Sequence, residues 1–444
     1  MTSLALRSLR HRATASSATF LAVLLGAVVM GSFTPLVQLA LGDGVPSADR
    51  DTLVVMGAVV GGWGVIIVLF SVAATVGITV GQREVEIGLL RTIGAVPKQV
   101  RRLVAVETVA VAAVAAIAGV WVANLTSRAL FTALQRGGTV SDAVGFRDGW
   151  AALALTATAL VATSLAAASL AGRRATQGPA SVVPSEARPA KRLRWWRVAV
   201  AVVLLGHAVS MGVLTVTSSK RSADPYDAMA TAGSLALVVG IALALVGPVL
   251  LSLGARLLRP ALGGGVAGHL AAYNTSRRAQ LLSGVLGPVI ILTAAAVSIL
   301  MIVGTDHRTL PAGHGADAAT INLLNNVVTA MICTFAAIMV VNAFAAVLAH
   351  RRTELHRLQL LGATRSQVED TVLAEAAVVA VVGVVLGLVA SLFTIVPFGI
   401  ARDEGIVPDG QLWLPPLVVA AVVVLTLGSA RTAFRRVARR EAVR

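Results

Sequence analysis

Ionisable side chains are scarce along this chain, and those that recur in a fixed order come first. Arg83, Glu84, Glu86 and Glu107 stand in one charged stretch; Arg351, Glu354 and Glu375 stand in another, far along the second half of the chain. The stretch REVEIGLLRTIGAVPKQVRRLVAVE (83–107) lies without gaps on RRTELHRLQLLGATRSQVEDTVLAE (351–375). Leu90 falls on Leu358, Gly94–Ala95 on Gly362–Ala363, and Gln99–Val100 on Gln367–Val368. Carboxylates and guanidinium groups in this pattern can pair with one another or meet a charged partner. The chain has no G-x-x-x-x-G-K-[ST] phosphate loop, no H-E-x-x-H or C-x-x-C metal pattern and no G-x-S-x-G nucleophile elbow. Cofactors in this chain are therefore expected to be none, and an enzyme by those routes is excluded. The single cysteine, Cys333, excludes an intramolecular disulfide.

Each copy reads as two short helical pieces joined by a Gly-Ala turn. In the first piece, Val85, Leu89 and Ile93 fall on one helical face. Gly94 is placed to end it, because glycine takes the left-handed cap conformation without a Cβ penalty. The second piece is basic in the first copy, with Lys98, Arg101 and Arg102. Glu369 and Asp370 replace the last two in the second copy. The copies share a scaffold and present different surfaces. A repeat of this kind sets the architecture: two homologous halves.

The pattern E-[IL]-x-x-L-x-x-x-G-A-x-x-x-Q-V resembles the signature of the FtsX-like permease family of ABC transporters, also called the MacB or type VII class. The likeness covers two four-helix units, about three quarters of the chain. In that family the segment between the second and third helices of each unit is cytoplasmic and docks on the ATPase subunit. The resemblance implies ATPase-docking residues Glu84, Glu86, Ile87, Leu90, Arg91, Gly94 and Ala95 in the first half. In the second half it implies Glu354, Leu355, Leu358, Gly362 and Ala363. ATP and Mg would be bound by the partner ATPase. The plain alternative for either segment is an amphipathic linker on the membrane surface.

Composition agrees with a membrane location. The chain has 444 residues, 57% hydrophobic and 13% charged, with many apolar runs longer than the roughly 18 residues that mark a spanning helix. We expect an all-α polytopic membrane protein of ten transmembrane helices arranged 4+2+4. The spans fall at about 16–41, 52–80, 103–126, 150–172, 198–217, 228–254, 281–304, 319–349, 371–398 and 412–432. The first four-helix unit is 1–172, with its coupling segment at 82–102. A linker with two extra helices and a basic segment is 173–264, and the second unit is 265–444, with its coupling segment at 350–370. Leu4-Ala5 before Arg12-Ala13 matches Leu270-Ala271 before Arg278-Ala279, which places the start of the second unit. The two linking helices keep the halves parallel. Outer loops are short, so no large extracytoplasmic domain is expected.

Charge sets the orientation. With a cytoplasmic N-terminus, 29 of the 37 Lys/Arg lie on the inner side, while the acidic residues divide 9 inside and 12 outside. The net charge of +16 thus follows the membrane rather than nucleic acid. Both termini are expected in the cytoplasm. The Arg-rich, Ala- and Val-rich composition points to a GC-rich bacterial source, hence to a bacterial cytoplasmic membrane. The Arg/Trp linker at 188–197 reads as a surface lying on anionic lipid headgroups.

Within the spans the ionisable residues are Glu107, Glu375 and His207. The two glutamates occupy equivalent repeat positions about one turn inside the boundary. They either pair with nearby arginines such as Arg102 or transmit motion from the coupling segment to the third helix of each unit. His207 reads as a hydrogen-bonded packing residue. Pro35, Pro248 and Pro288 interrupt spans, and Trp150, Trp195, Trp196 and Trp413 read as interfacial anchors.

The function so implied is the permease subunit of an ABC transporter. It would couple hydrolysis by separate ATPase subunits, two of them, to export or extraction of an amphiphilic or hydrophobic substrate or peptide. One copy of the chain would suffice per complex. Two other readings stay open. One is a mechanotransmission subunit that signals to an outer partner without moving cargo. The other is an ion-coupled secondary carrier, which leaves the duplicated segment unexplained.

Overall fold

In the computed structural model, residues 13–42, 44–54, scattered positions between 57 and 80, 84–136, 140–176, 195–222, 227–261, 266–309 and 315–441 are described. Every regular element among them is helical. Nine of the described helical segments are long and apolar enough to cross a membrane. The expected span at 52–80 lies largely outside the described residues. Its described valines Val68, Val72, Val76 and Val80 are buried and four apart, the spacing of one helical face. The chain divides into two compact units. The first is Met1–Glu186 with His314–Phe335, and the second is Ala187–Gly313 with Ala336–Arg444.

The first unit contains α1 (Ala13–Ala40), α2 (Ser47–Val54), α3 (Glu84–Thr92), α4 (Pro97–Arg136) and α5 (Trp150–Thr176). Helices α1, α4 and α5 pack against one another. At about 1.5 Å per residue, the 40 residues of α4 span roughly 60 Å, about twice the hydrocarbon thickness of a bilayer. The sequence places a membrane span at 103–126, but the helix overruns it at both ends. No interior proline breaks it: the one proline in 97–136 is Pro97, in the first turn, where no amide donor is needed. Around the far end of α4, Phe33, Leu36, Leu53, Phe131, Leu134, Val140 and Val144 close a small apolar cap.

The second unit contains α6 (Trp195–Thr217), a 3-10 turn (Ser219–Arg221), α7 (Asp227–Ala232), α8 (Leu235–Leu245), α9 (Gly247–Leu257), α10 (Val266–Arg277) and α11 (Ala279–Thr309). Helix α12 (Gly315–His350) contributes its residues up to Phe335 to the first unit and the rest to the second. The second unit also holds α13 (Arg352–Leu360), α14 (Arg365–Ala401) and α15 (Leu414–Glu441). The span expected at 228–254 is three pieces, α7, α8 and α9, broken at Gly233–Ser234 and at Val246. Pro248 stands in the first turn of α9, where a missing N–H costs nothing. Pro35 and Pro288 lie inside α1 and α11, which run through them. The extra helices α8 and α9 pack on α11 and α14, and α6 packs on α8 and α14. Together they clothe one side of the α11–α14 pair.

The repeat is visible in the closest helix crossings. A Cβ at Gly119 of α4 would lie 2.7 Å from the Leu24 carbonyl oxygen of α1. A Cβ at Gly387 of α14 would lie 2.9 Å from the Ile290 carbonyl oxygen of α11. Extended along the chain, the register that lays Arg83 on Arg351 also lays Gly119 on Gly387. Only glycine lets two helix backbones approach so closely. The first and third helices of each half therefore cross at the equivalent glycine.

Candidate functional site

Both charged stretches fold alike. In the first, α3 ends at Gly94 with φ of 99°; in the second, α13 ends at Gly362 with φ of 96°. The Ala95 amide donates to the Leu90 carbonyl and the Gly94 amide to the Arg91 carbonyl. Ala363 donates to Leu358, and Gly362 to Gln359. Both are Schellman ends, which satisfy carbonyls the helix would otherwise leave open. The next helix begins at Pro97 in the first copy and at Arg365 in the second. Gln367 closes a capping box: its side chain accepts the Thr364 amide at 2.9 Å, and the Thr364 hydroxyl accepts the Gln367 amide. In the first copy, Gln99 accepts the Val96 amide at 3.1 Å. These bonds give the shared Gly-Ala and Gln residues a physical reason: they fix a helix–turn–helix elbow.

The two glycine turns carry a direct test. Nothing lies within 4 Å of a Cβ built on Gly94 or Gly362, so only backbone strain opposes a side chain. An L-residue held in the left-handed region costs roughly 1–2 kcal/mol. Gly362→Ala should fray the last turn of α13 and speed amide exchange at Leu358–Ala363 without disturbing α14.

The elbow divides its residues into two faces. Ile87 and Leu355 are buried, and Leu90, Ala95, Leu358 and Ala363 are half-buried against their own unit. These positions seat the elbow. Glu86 and the turn glycines Gly94 and Gly362 are exposed, Arg91 is partly so, and Glu84 lies in α3. Apolar side chains missing from the sequence-derived set point outward: Leu89, Ile93 and Val96 in the first elbow, Leu360 and Leu361 in the second. Ile93 is 75% exposed and Leu361 85%. They are counterparts in the repeat, each at the last position before the turn glycine. Leu89 and Ile93 share a face, as their spacing indicates, and that face is the open one. Sequence spacing marks such a stripe; it does not say which stripe faces the core.

Glu354 turns inward. One carboxylate oxygen lies 2.7 Å from Arg278 Nη1 and 3.4 Å from Arg351 Nε. Arg351, 4% exposed, grips Glu375, 2% exposed, with both terminal nitrogens. The Asn274 amide adds a 3.0 Å hydrogen bond to the same carboxylate. Asn274, Arg278, Arg351, Glu354 and Glu375 thus form one chain of contacts linking α10, α13 and α14. The arginine partner of Glu375 is the one at the start of its own repeat, on the far side of the elbow, a pairing that linear spacing does not display. In the first half Glu107 is likewise buried; Arg83, the counterpart of Arg351, lies outside the described residues.

Burial alone would raise the Glu354 carboxyl, but the contacts with Arg278 and Arg351 outweigh it and hold its pKa below the ordinary 4.5. A folded-state pKa below the unfolded one means that unfolding takes up protons, so stability rises with pH through that window. The contribution is complete above about pH 4.5 and is lost as pH falls through the depressed value. Glu354→Gln should therefore flatten part of the acid limb of a melting-temperature profile taken below pH 4.5.

The difference between the two second pieces has an internal cause. Arg101 donates to the Thr176 hydroxyl at the end of α5. Glu369 meets Arg431 of α15 at 2.9 Å. Each faces the last helix of its own half, so this charge reversal is matched within the chain. His207 departs from expectation: it is exposed on α6, with no side-chain hydrogen bond among the described residues. Trp150, Trp195, Trp196 and Trp413 are all exposed near helix ends, where interfacial anchors belong.

At the end of the first unit away from its elbow, a cavity of about 410 Å³ opens between Pro35, Gln38, Val45 and the loop 143–149. Arg128 grips Asp148 there at 2.6 Å, and this hydrogen bond holds the Asp148 carboxyl below its ordinary pKa. Among the described residues no group of three His, Cys, Asp or Glu could hold a metal ion.

A family model described as FtsX-like permease C-terminal matches residues 58–179 and 326–442, more than half of the chain. The two matched segments begin at equivalent points of the repeat, in the same register as the two elbows. No curated protein matches the chain.

Proposed function

The chain belongs to the FtsX-like permease family of multi-pass membrane proteins, whose members normally work with ABC ATPase partners; on that premise, we propose that it is the membrane subunit of an ABC transporter whose two elbows each receive a separate ATPase subunit. One observation carries this reading. The same exposed apolar tip, ending in the same glycine turn, occurs twice, and each tip leads directly into a helix of 40 or 37 residues. A push on either tip enters a rod that crosses the bilayer.

The elbows face the cytoplasm in this reading, as the positive-inside distribution of Lys and Arg supports. The ten spans run 4+2+4, with parallel halves. ATP closure of the ATPase pair drives the second and third helices of each half, with Glu107 and Glu375 carrying the motion into α4 and α14. The substrate is amphiphilic or hydrophobic and leaves from the bilayer, since the spans offer few polar groups. One copy of the chain supplies both docking sites.

Purification of the full chain from detergent, together with an ATPase expressed beside it, tests the reading. Retention of the ATPase and a change in its turnover on binding are expected. A wild-type chain that never holds an ATPase would sink it.

A further inference from the structure

Helix α10 precedes the first spanning helix of the second half, and its role is unassigned. It is short and packed on α14. Its Asn274 reaches Glu375, and Arg278, just past its end, reaches Glu354 on the coupling helix. Glu354 in turn touches Arg351, which is buried against Glu375. The ring therefore closes: α13 to α10 through Glu354–Arg278, α10 to α14 through Asn274–Glu375, and α14 back to α13 through Glu375–Arg351. Shifting α10 away from the other two elements would give up the Asn274 hydrogen bond to the buried Glu375 carboxylate and the partly exposed Arg278–Glu354 ion pair, so the three elements favour moving together.

We infer that Arg278 and Asn274 are positioning residues that make α10 a moving part of the transmission. They carry displacement of the coupling helix α13 into α10 and thence into α11, which starts at Ala279, immediately after Arg278. This rests on the docking reading above and adds a second route beside the α14 rod. The arm of the ring that joins α13 to α10 is the Arg278–Glu354 contact, so that contact is the one to break.

The test is hydrogen exchange on the complete complex of chain and ATPase, with and without ATP trapped by vanadate. In the wild type, trapping should change exchange in α13 and in 266–277 together. Arg278→Gln should keep the ATPase bound and keep the α13 response, while the response of 266–277 is weakened to what the Asn274–Glu375 arm still carries; Arg278→Lys should restore it. A residue that merely stabilised α10 would alter its exchange equally in both nucleotide states. Retained ATPase with no trapping response at 266–277 in the wild type overturns the inference and leaves docking intact. An unchanged response at 266–277 in Arg278→Gln overturns it as well. If Arg278→Gln fails to assemble, the wild-type response alone decides. Absence of any bound ATPase on the wild type defeats the docking reading itself, and the inference with it.

Discussion

Leu361→Lys should release the ATPase from the purified complex, and Ile93→Lys should do the same through the other elbow. Both side chains are mostly exposed, 85% and 75%, at the last position before the glycine turn. A lysine there suits the negative end of a helix, so folding is spared. In a docked complex the same side chain would put a charge into the centre of an apolar contact. Central apolar contacts are worth about 2–4 kcal/mol, roughly 30- to 1,000-fold in affinity. Each single variant should retain less ATPase than wild type, and the double variant none, at unchanged melting temperature. Normal retention by the double variant would place docking elsewhere. Reversing Glu354 is a poorer probe, because it would set a cation beside Arg278 and Arg351 and damage the fold from within.

Much of this is legible in sequence for physical reasons. The elbow appears as a gapless repeat because its geometry depends on a left-handed glycine and a capping glutamine, and neither tolerates replacement cheaply. The membrane class follows from long apolar runs. What sequence does not display depends on tertiary direction. Leu89, Ile93 and Val85 form a stripe by spacing, yet a stripe can face the core or the solvent, and only the packing of Ile87 and Leu355 decides. Glu354 reads as a surface docking charge until Arg278, which belongs to the start of the second half rather than to the charged stretch 351–375, is seen beside it. Hydropathy ends where the bilayer ends, whereas α4 and α14 continue as helices into polar sequence, so apolar runs understate their length. The stretch 228–254 is continuous by hydropathy, and its breaks at Gly233 and Val246 leave no trace in apolar composition.

Glu375→Leu should destabilise the second unit strongly, by about 3–5 kcal/mol, because it leaves the buried Arg351 guanidinium with only its 3.4 Å contact to Glu354 and deprives Asn274 of its acceptor. Pairing it with Arg351→Met removes both charges. Replacing a buried ion pair by apolar groups of similar volume is often neutral or stabilising, so the double variant should recover most of the loss. Here recovery will be incomplete, since Glu354 and Asn274 also lose a partner. Melting of the four corners of this cycle in detergent reads the coupling directly. A loss below about 1 kcal/mol for Glu375→Leu would be the size of a solvent-screened surface pair, and would contradict the burial of both groups. The double variant also separates two roles that single variants confuse. If it folds and binds the ATPase yet fails to couple turnover to the membrane helices, the ion pair serves transmission. If coupling survives, the pair serves only to seat the elbow, and α14 is driven through the Gly-Ala turn alone.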